Sequence, residues 1–107
     1  MRTFTNSGRR YRFFTDPGHG WLEVPRPEVV ASGANISAYS YYDPVTDMAY
    51  LEEDGDVWAW LKATGRDWSS LSVMEVDSSM PRRLAVYGPE AIAQLRVQAV
   101  SDLGYGR

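Results

Sequence analysis

The chain has 107 residues, 44% hydrophobic and 23% charged, with a formal net charge of −3. This length predicts one domain, residues 1–107, with a core large enough to need no crosslinks. The absence of cysteine and the single histidine exclude disulfides, thiolate metal sites and a histidine-rich zinc site, and the mild charge does not by itself indicate nucleic-acid binding.

Two further segment types are not visible in the sequence. Residues 1–6 lack the apolar segment of a signal peptide. No run approaches the ~20 apolar residues that a membrane-spanning helix needs. We therefore expect a soluble intracellular protein.

The first predicted element is a β-hairpin formed by strands at residues 9–14 and 20–24. Asp16, Pro17 and Gly18 are typical of a type II turn, in which glycine takes the position with positive φ. Gly20 leaves open a wider connection with a bulge. Aromatic side chains alternate onto both faces of this hairpin, so we expect the second face to be covered as well.

The remainder of the chain alternates short strands with helices. We predict helices at 28–31, ended by Gly33, and at 57–63. Strands are predicted at 36–42, 48–52, 71–76 and 83–87. A C-terminal helix is predicted from residue 88, with the apolar stripe Ile92, Leu95, Ala99 and Leu103. The helix at 57–63, capped by Asp54 or Asp56 and ended by Gly65, has a wide apolar face that includes Trp58. This order predicts an α+β fold: an antiparallel sheet built from hairpins, packed with two or three helices on one face.

His19 lies in the first turn and has two possible interpretations. A histidine near Asp16 could act as a general base. A turn residue with an exposed ring is the favoured interpretation, because no serine of the chain lies in a recognisable catalytic motif. We therefore expect no catalytic residue and no enzymatic activity.

The densest charged cluster, residues 52–56, contains four carboxylates. Carboxylates are the ligands of calcium and magnesium, but the spacing does not match an EF-hand loop. Acidic residues immediately before an apolar helix favour a role at the helix N-terminus. We expect neither a metal nor a cofactor.

The candidates for partner binding are tyrosines and arginines. Tyrosines of the strand at 36–42 could stack the bases of a single-stranded nucleic acid, could pack across strands, or could contact a protein. The segment 78–83 could bind an anion through serines and guanidinium groups, although ordinary surface arginines are favoured. The predicted partner-binding residues are Tyr39, Tyr41, Tyr42, Arg82 and Arg83.

The segments 13–25, 36–41 and 49–54 resemble small uncharacterised accessory proteins carried by bacteriophages, prophages and plasmids. The resemblance covers roughly the first sixty residues. It implies a protein of a mobile genetic element in a bacterial cytoplasm, which binds a host or phage protein. Inhibition of a host defence system, such as an anti-CRISPR activity, is the expected function by this association. The alternative is a module that binds single-stranded nucleic acid through a tyrosine-rich sheet.

Overall fold

The computed structural model describes residues 10–88. Its strands are β1 (Arg10–Asp16), β2 (His19–Pro25), β3 (Tyr41–Asp43), β4 (Met48–Glu52), β5 (Ser72–Asp77) and β6 (Ala85–Val86). Its α-helices are α1 (Arg26–Ser32) and α2 (Asp56–Thr64), and short 3-10 helices cover Trp68–Ser70 and Met80–Arg83. Neither α-helix within this part of the chain is long and apolar enough to cross a membrane.

The strands form a six-stranded sheet in the order β5-β1-β2-β4-β3-β6. β1 and β5 pair in parallel, whereas the other neighbouring strands pair antiparallel. The α+β fold with a mostly antiparallel sheet is confirmed. The predicted C-terminal helix and the start of the first strand at Arg9 lie outside the described residues.

The first hairpin closes through two residues, because Asp16 pairs directly with His19. Gly18 has the positive φ, 96°, that the predicted turn requires. The wider connection with a bulge is not formed. Gly20 instead lies so close to the Phe13 ring that an added Cβ would be 2.5 Å from the ring Cζ.

Each face of the sheet carries its own apolar cluster. Both α-helices pack on one face, where their buried residues join those of the central strands; the cluster comprises Tyr11, Leu22, Val24, Val29, Ala49, Leu51, Val57, Trp60 and Leu61. The other face carries Phe14, Trp21 and Tyr50, against which Met80 and Leu84 pack. The 3-10 helix Met80–Arg83 and the residue that follows it therefore help to cover the second face.

Two strand predictions are wrong in extent. The predicted strand 36–42 begins only at Tyr41, and residues 37–39 form a turn in which the amide of Tyr39 donates to the hydroxyl of Ser37. Such local side-chain bonds compete with strand pairing. The predicted strand 83–87 is reduced to Ala85–Val86, because the 3-10 helix extends to Arg83.

Candidate functional site

An open depression with a volume of about 440 Å³ lies on the second face of the sheet, where Trp21 is part of its lining. The starts of β2 and β3, the loop between β4 and α2, and one arginine of the second 3-10 helix surround it. We call it the aromatic cleft; its lining residues are His19, Gly20, Trp21, Ala38, Tyr39, Tyr41, Glu52, Glu53, Asp54, Gly55 and Arg82.

Trp21 forms the base of the aromatic cleft and is itself only 2% exposed. Its ring meets that of Tyr41 edge to face, with centroids 6.0 Å apart. The ring of His19 stacks on it nearly in parallel, at 11° between planes. The guanidinium carbon of Arg82 lies 5.1 Å from the Trp21 ring centroid, within the range of a cation–π contact.

Arg82 bridges the two residues at the end of the first hairpin. Its Nε donates to Oδ2 of Asp16 at 2.6 Å, and its Nη2 lies 2.6 Å from Nδ1 of His19. A guanidinium group only donates, so Nδ1 of His19 is the acceptor in this contact. The hydrogen bond from Arg82, before any other cause, lowers the pKa of the Asp16 carboxyl.

These contacts bear on two functions considered from the sequence: His19 as a general base, and segment 78–83 as an anion-binding site. The nitrogen that His19 would need as a general base is occupied by Arg82. The guanidinium of Arg82 is likewise already paired with a carboxylate, which leaves it poorly suited to hold a separate anion. His19 is therefore a turn residue with a mostly exposed ring, as the favoured interpretation predicted, and that ring contacts Trp21 and Arg82.

The acidic wall of the cleft consists of Glu52, Glu53 and Asp54. The carboxylate of Glu52 accepts from the backbone N–H groups of Asp54 and Asp56, at 3.1 and 3.3 Å. Glu53 and Asp54 have no side-chain hydrogen bond or ion pair to any other residue between 10 and 88. No group of three or more metal-ligating side chains is present in the same range.

The prediction that Asp54 or Asp56 caps α2 is wrong. Gly55 occupies the N-cap position and has no side chain that could cap the helix. Asp56 is the first residue of the helix and is buried, and its carboxylate accepts from the hydroxyls of Ser37 and Ser40, at 2.7 and 2.5 Å. It also accepts from the backbone N–H of Ser37, so it fastens the loop before β3 to α2.

That fastened loop carries Tyr39, whose side chain stands at the rim of the aromatic cleft and is 76% exposed. Its backbone is fixed by Ser37, which is itself held by Asp56. The loop therefore presents an exposed aromatic ring from an anchored backbone. An exposed ring that is already positioned loses little conformational freedom on binding.

The structure separates the five predicted partner-binding residues. Tyr39, Tyr41 and Arg82 all line the aromatic cleft. Arg83 is exposed but is not part of its lining. Tyr42 has no exposed surface and donates its hydroxyl to Asp47 at 2.6 Å. The expectation for Tyr42 therefore does not hold, because a partner cannot reach its side chain.

A second, smaller groove of about 250 Å³ adjoins the cleft. Phe13, Glu53, Val57, Trp58 and Trp68 line it, and Glu53 lines both depressions. Trp58 is 55% exposed, with its ring 6.5 Å from that of Trp68. Of the predicted wide apolar face of this helix, Val57, Trp60 and Leu61 are buried and Trp58 is not.

Comparisons with protein-family models, with curated proteins and with solved structures find no match to this chain. The resemblance to accessory proteins of mobile elements stays a prediction.

Proposed function

We propose that this protein is a non-enzymatic binding module whose partner is another protein. The observation that carries the proposal is that two neighbouring depressions, the aromatic cleft and the second groove, share Glu53 in their linings. Each depression presents an exposed aromatic ring, Tyr39 at the cleft and Trp58 at the groove. Tyrosine and tryptophan are enriched among the residues that dominate the binding energy of protein interfaces.

Charge favours a protein over a nucleic acid as the partner. Tyr39 shares its cleft with three carboxylates, which would repel a phosphate backbone. The sheet also offers no row of exposed tyrosines in the described residues, because Tyr42 and Tyr50 are both buried. Base stacking needs exposed rings beside positive charge.

The residue types that line the cleft also support binding over covalent catalysis by a hydroxyl, thiol or amine. Among its described lining residues there is no serine, threonine, cysteine or lysine. The accepting nitrogen of His19 is held by Arg82. A serine, threonine, cysteine or lysine activated by a neighbouring base is a common arrangement for covalent catalysis, and its absence from this lining supports the binding proposal.

A finer form of the proposal is that binding blocks a host defence protein, as an anti-CRISPR would. It is supported by the resemblance of the first sixty residues to accessory proteins of mobile elements, which is an argument by association. It predicts that expression of the chain restores maintenance of a plasmid targeted by a CRISPR system. The Tyr39→Ala variant should lose this effect.

The experiment that tests protein binding is quantitative affinity purification from bacterial lysate, with and without nuclease. Tyr39→Ala and Trp58→Ala should each lose the captured protein. Val45→Ala is the control, because Val45 is the most exposed large hydrophobic residue described, at 91%, and lines neither depression. Capture that requires intact nucleic acid, or that survives both aromatic substitutions, would contradict the proposal.

A further inference from the structure

We infer that the aromatic cleft receives a basic side chain, with arginine favoured, from the partner protein. This inference rests on the proposed function and specifies the chemistry of the partner. It commits the cleft to a cationic side chain rather than to an anion or to a purely apolar side chain.

The first support is the uncompensated charge of the cleft. Its lining contains three carboxylates and one guanidinium group. That guanidinium, of Arg82, is already paired with Asp16, which is not part of the lining. Within residues 10–88, the carboxylates of Glu53 and Asp54 have no ionic partner, so the wall beside Tyr39 carries net negative charge.

The second support is the chemistry of the aromatic rings that line the same cleft. Tyr39 is mostly exposed and Tyr41 is partly exposed. A guanidinium group stacks on an aromatic face and also pairs with a carboxylate through its planar fork of N–H groups. The molecule already contains this combination at Arg82, which pairs with Asp16 and lies over Trp21.

The third support is that the three carboxylates of the cleft differ in their hydrogen bonding. Glu52 is engaged with the backbone N–H groups of Asp54 and Asp56 and so shapes the loop. Glu53 and Asp54 make no comparable contact in the described residues. Their negative charges contribute no local bond to the loop and are free to meet a cation.

The test uses capped Gly-Arg-Gly, Gly-Lys-Gly and Gly-Glu-Gly peptides as probes. Amide chemical shifts of Tyr39, Glu53 and Asp54 are followed during titration of the full chain. We expect saturable shifts with the arginine peptide at an affinity of about 1 mM, weaker binding of the lysine peptide and none of the glutamate peptide.

Glu53→Gln and Asp54→Asn should each weaken the arginine peptide by roughly twofold to fivefold, the range for exposed ion pairs. Glu75→Gln is the matched control, because Glu75 is an exposed carboxylate on β5 that lies outside the cleft. Undisturbed shifts elsewhere establish that each variant is folded. Equal binding of the glutamate peptide, no saturable shift, or full affinity in both acidic variants would overturn the inference.

The same variants separate this inference from the proposed function. If the captured protein is lost with Tyr39→Ala and Trp58→Ala but kept with Glu53→Gln and Asp54→Asn, the protein-binding proposal stands and the inference of a basic side chain fails. If all four substitutions reduce capture while Val45→Ala and Glu75→Gln do not, both are supported. If no substitution reduces capture, both fail.

Discussion

Arg82 donates its Nε to the carboxylate of Asp16 at 2.6 Å, across 66 positions of sequence. This contact attaches the 3-10 helix Met80–Arg83 to the first hairpin, next to the point where Met80 and Leu84 pack on the second face. One exposed guanidinium therefore links the closing turn of the hairpin to the segment that covers the aromatic cluster behind it.

We predict that Arg82→Gln loosens residues 80–84 without unfolding the sheet. Glutamine keeps part of the side-chain length but loses the charge and the second donor that reaches His19. Amide hydrogen exchange at Arg82 and Leu84, whose N–H groups close the 3-10 turn, should accelerate severalfold. Arg83→Gln is the control, and equal exchange in the two variants would contradict the prediction.

Gly20 is required by a close approach between neighbouring strands. A methyl group there would lie 2.5 Å from Cζ of Phe13, whose ring packs edge to face on Trp68. We expect Gly20→Ala to lower the free energy of unfolding by about 1–3 kcal/mol, as overpacking of a core does. Urea denaturation measures this loss.

Gly88→Ala is the matched control for that substitution, because no described atom beyond its chain neighbours lies within 4 Å of the added methyl. Combining Gly20→Ala with Phe13→Leu, which shortens the opposing side chain, should cost less than the sum of the two single changes. Strict additivity would show that the ring is not what excludes a side chain at position 20.

Asp56 gives a third prediction, about the loop that presents Tyr39. Asp56→Asn removes the charge from a buried group that accepts from Ser37 and Ser40. Hydrogen bonds to charged groups contribute about 1.5–3 kcal/mol each to stability, so we expect a loss of that order on chemical denaturation. Asp54→Asn, at an exposed carboxylate, should be nearly neutral.

The predictions from sequence succeeded where structure is decided by neighbours in the chain. The turn at Gly18 and the ends of both helices at Gly33 and Gly65, all with positive φ, follow from local conformational preference. The strand predicted from residue 36 was too long because Ser37 donates a hydrogen bond to Asp56, which lies far along the chain. No local pattern specifies that contact.

The candidate site was predictable only in part for the same reason. Tyrosine and arginine types pointed to Tyr39, Tyr41 and Arg82, which do meet in the cleft. Burial of Tyr42 depends on Asp47 and on the ring of Tyr87. The exposure of Trp58 depends on which side of the helix turns towards the sheet, and a helix with apolar residues around much of its circumference does not specify this.

The hairpin between β3 and β4 gives a prediction about acid. Asp47 takes the left-handed backbone conformation, φ 61°, and its carboxylate accepts two hydrogen bonds from the guanidinium of Arg26, at 2.5 and 2.9 Å. The bond from Arg26 is the main cause that lowers the pKa of the Asp47 carboxyl. The folded state therefore favours the ionised form.

The stability that this ionisation provides is complete above the ordinary aspartate pKa of about 3.9 and is lost as pH falls through the lowered pKa of the folded state. Asp47→Asn tolerates the same backbone conformation but cannot ionise. The difference in melting temperature between wild type and Asp47→Asn should be largest near neutral pH and should shrink below pH ~4. A difference that is constant with pH would contradict an ionic role.

Tyr42 gives a prediction about alkaline pH, where its contribution to stability should be lost. Burial first, and then the hydrogen bond to Asp47, raise the pKa of the Tyr42 phenol to about 12. The folded state favours the neutral phenol, so this contribution is present below the ordinary tyrosine pKa of about 10 and is lost as pH rises through about 12. Tyr42→Phe should cost about 1 kcal/mol at neutral pH, the usual net value of one hydrogen bond. Denaturation of the wild type and of Tyr42→Phe between pH 8 and 12 should show this cost shrinking as the pH rises.

Because Tyr42 has no exposed surface, the same substitution should leave the affinity for the captured protein unchanged, whereas Tyr39→Ala should abolish capture. Weaker capture by a Tyr42→Phe variant that is fully folded under the assay conditions would return Tyr42 to the binding surface.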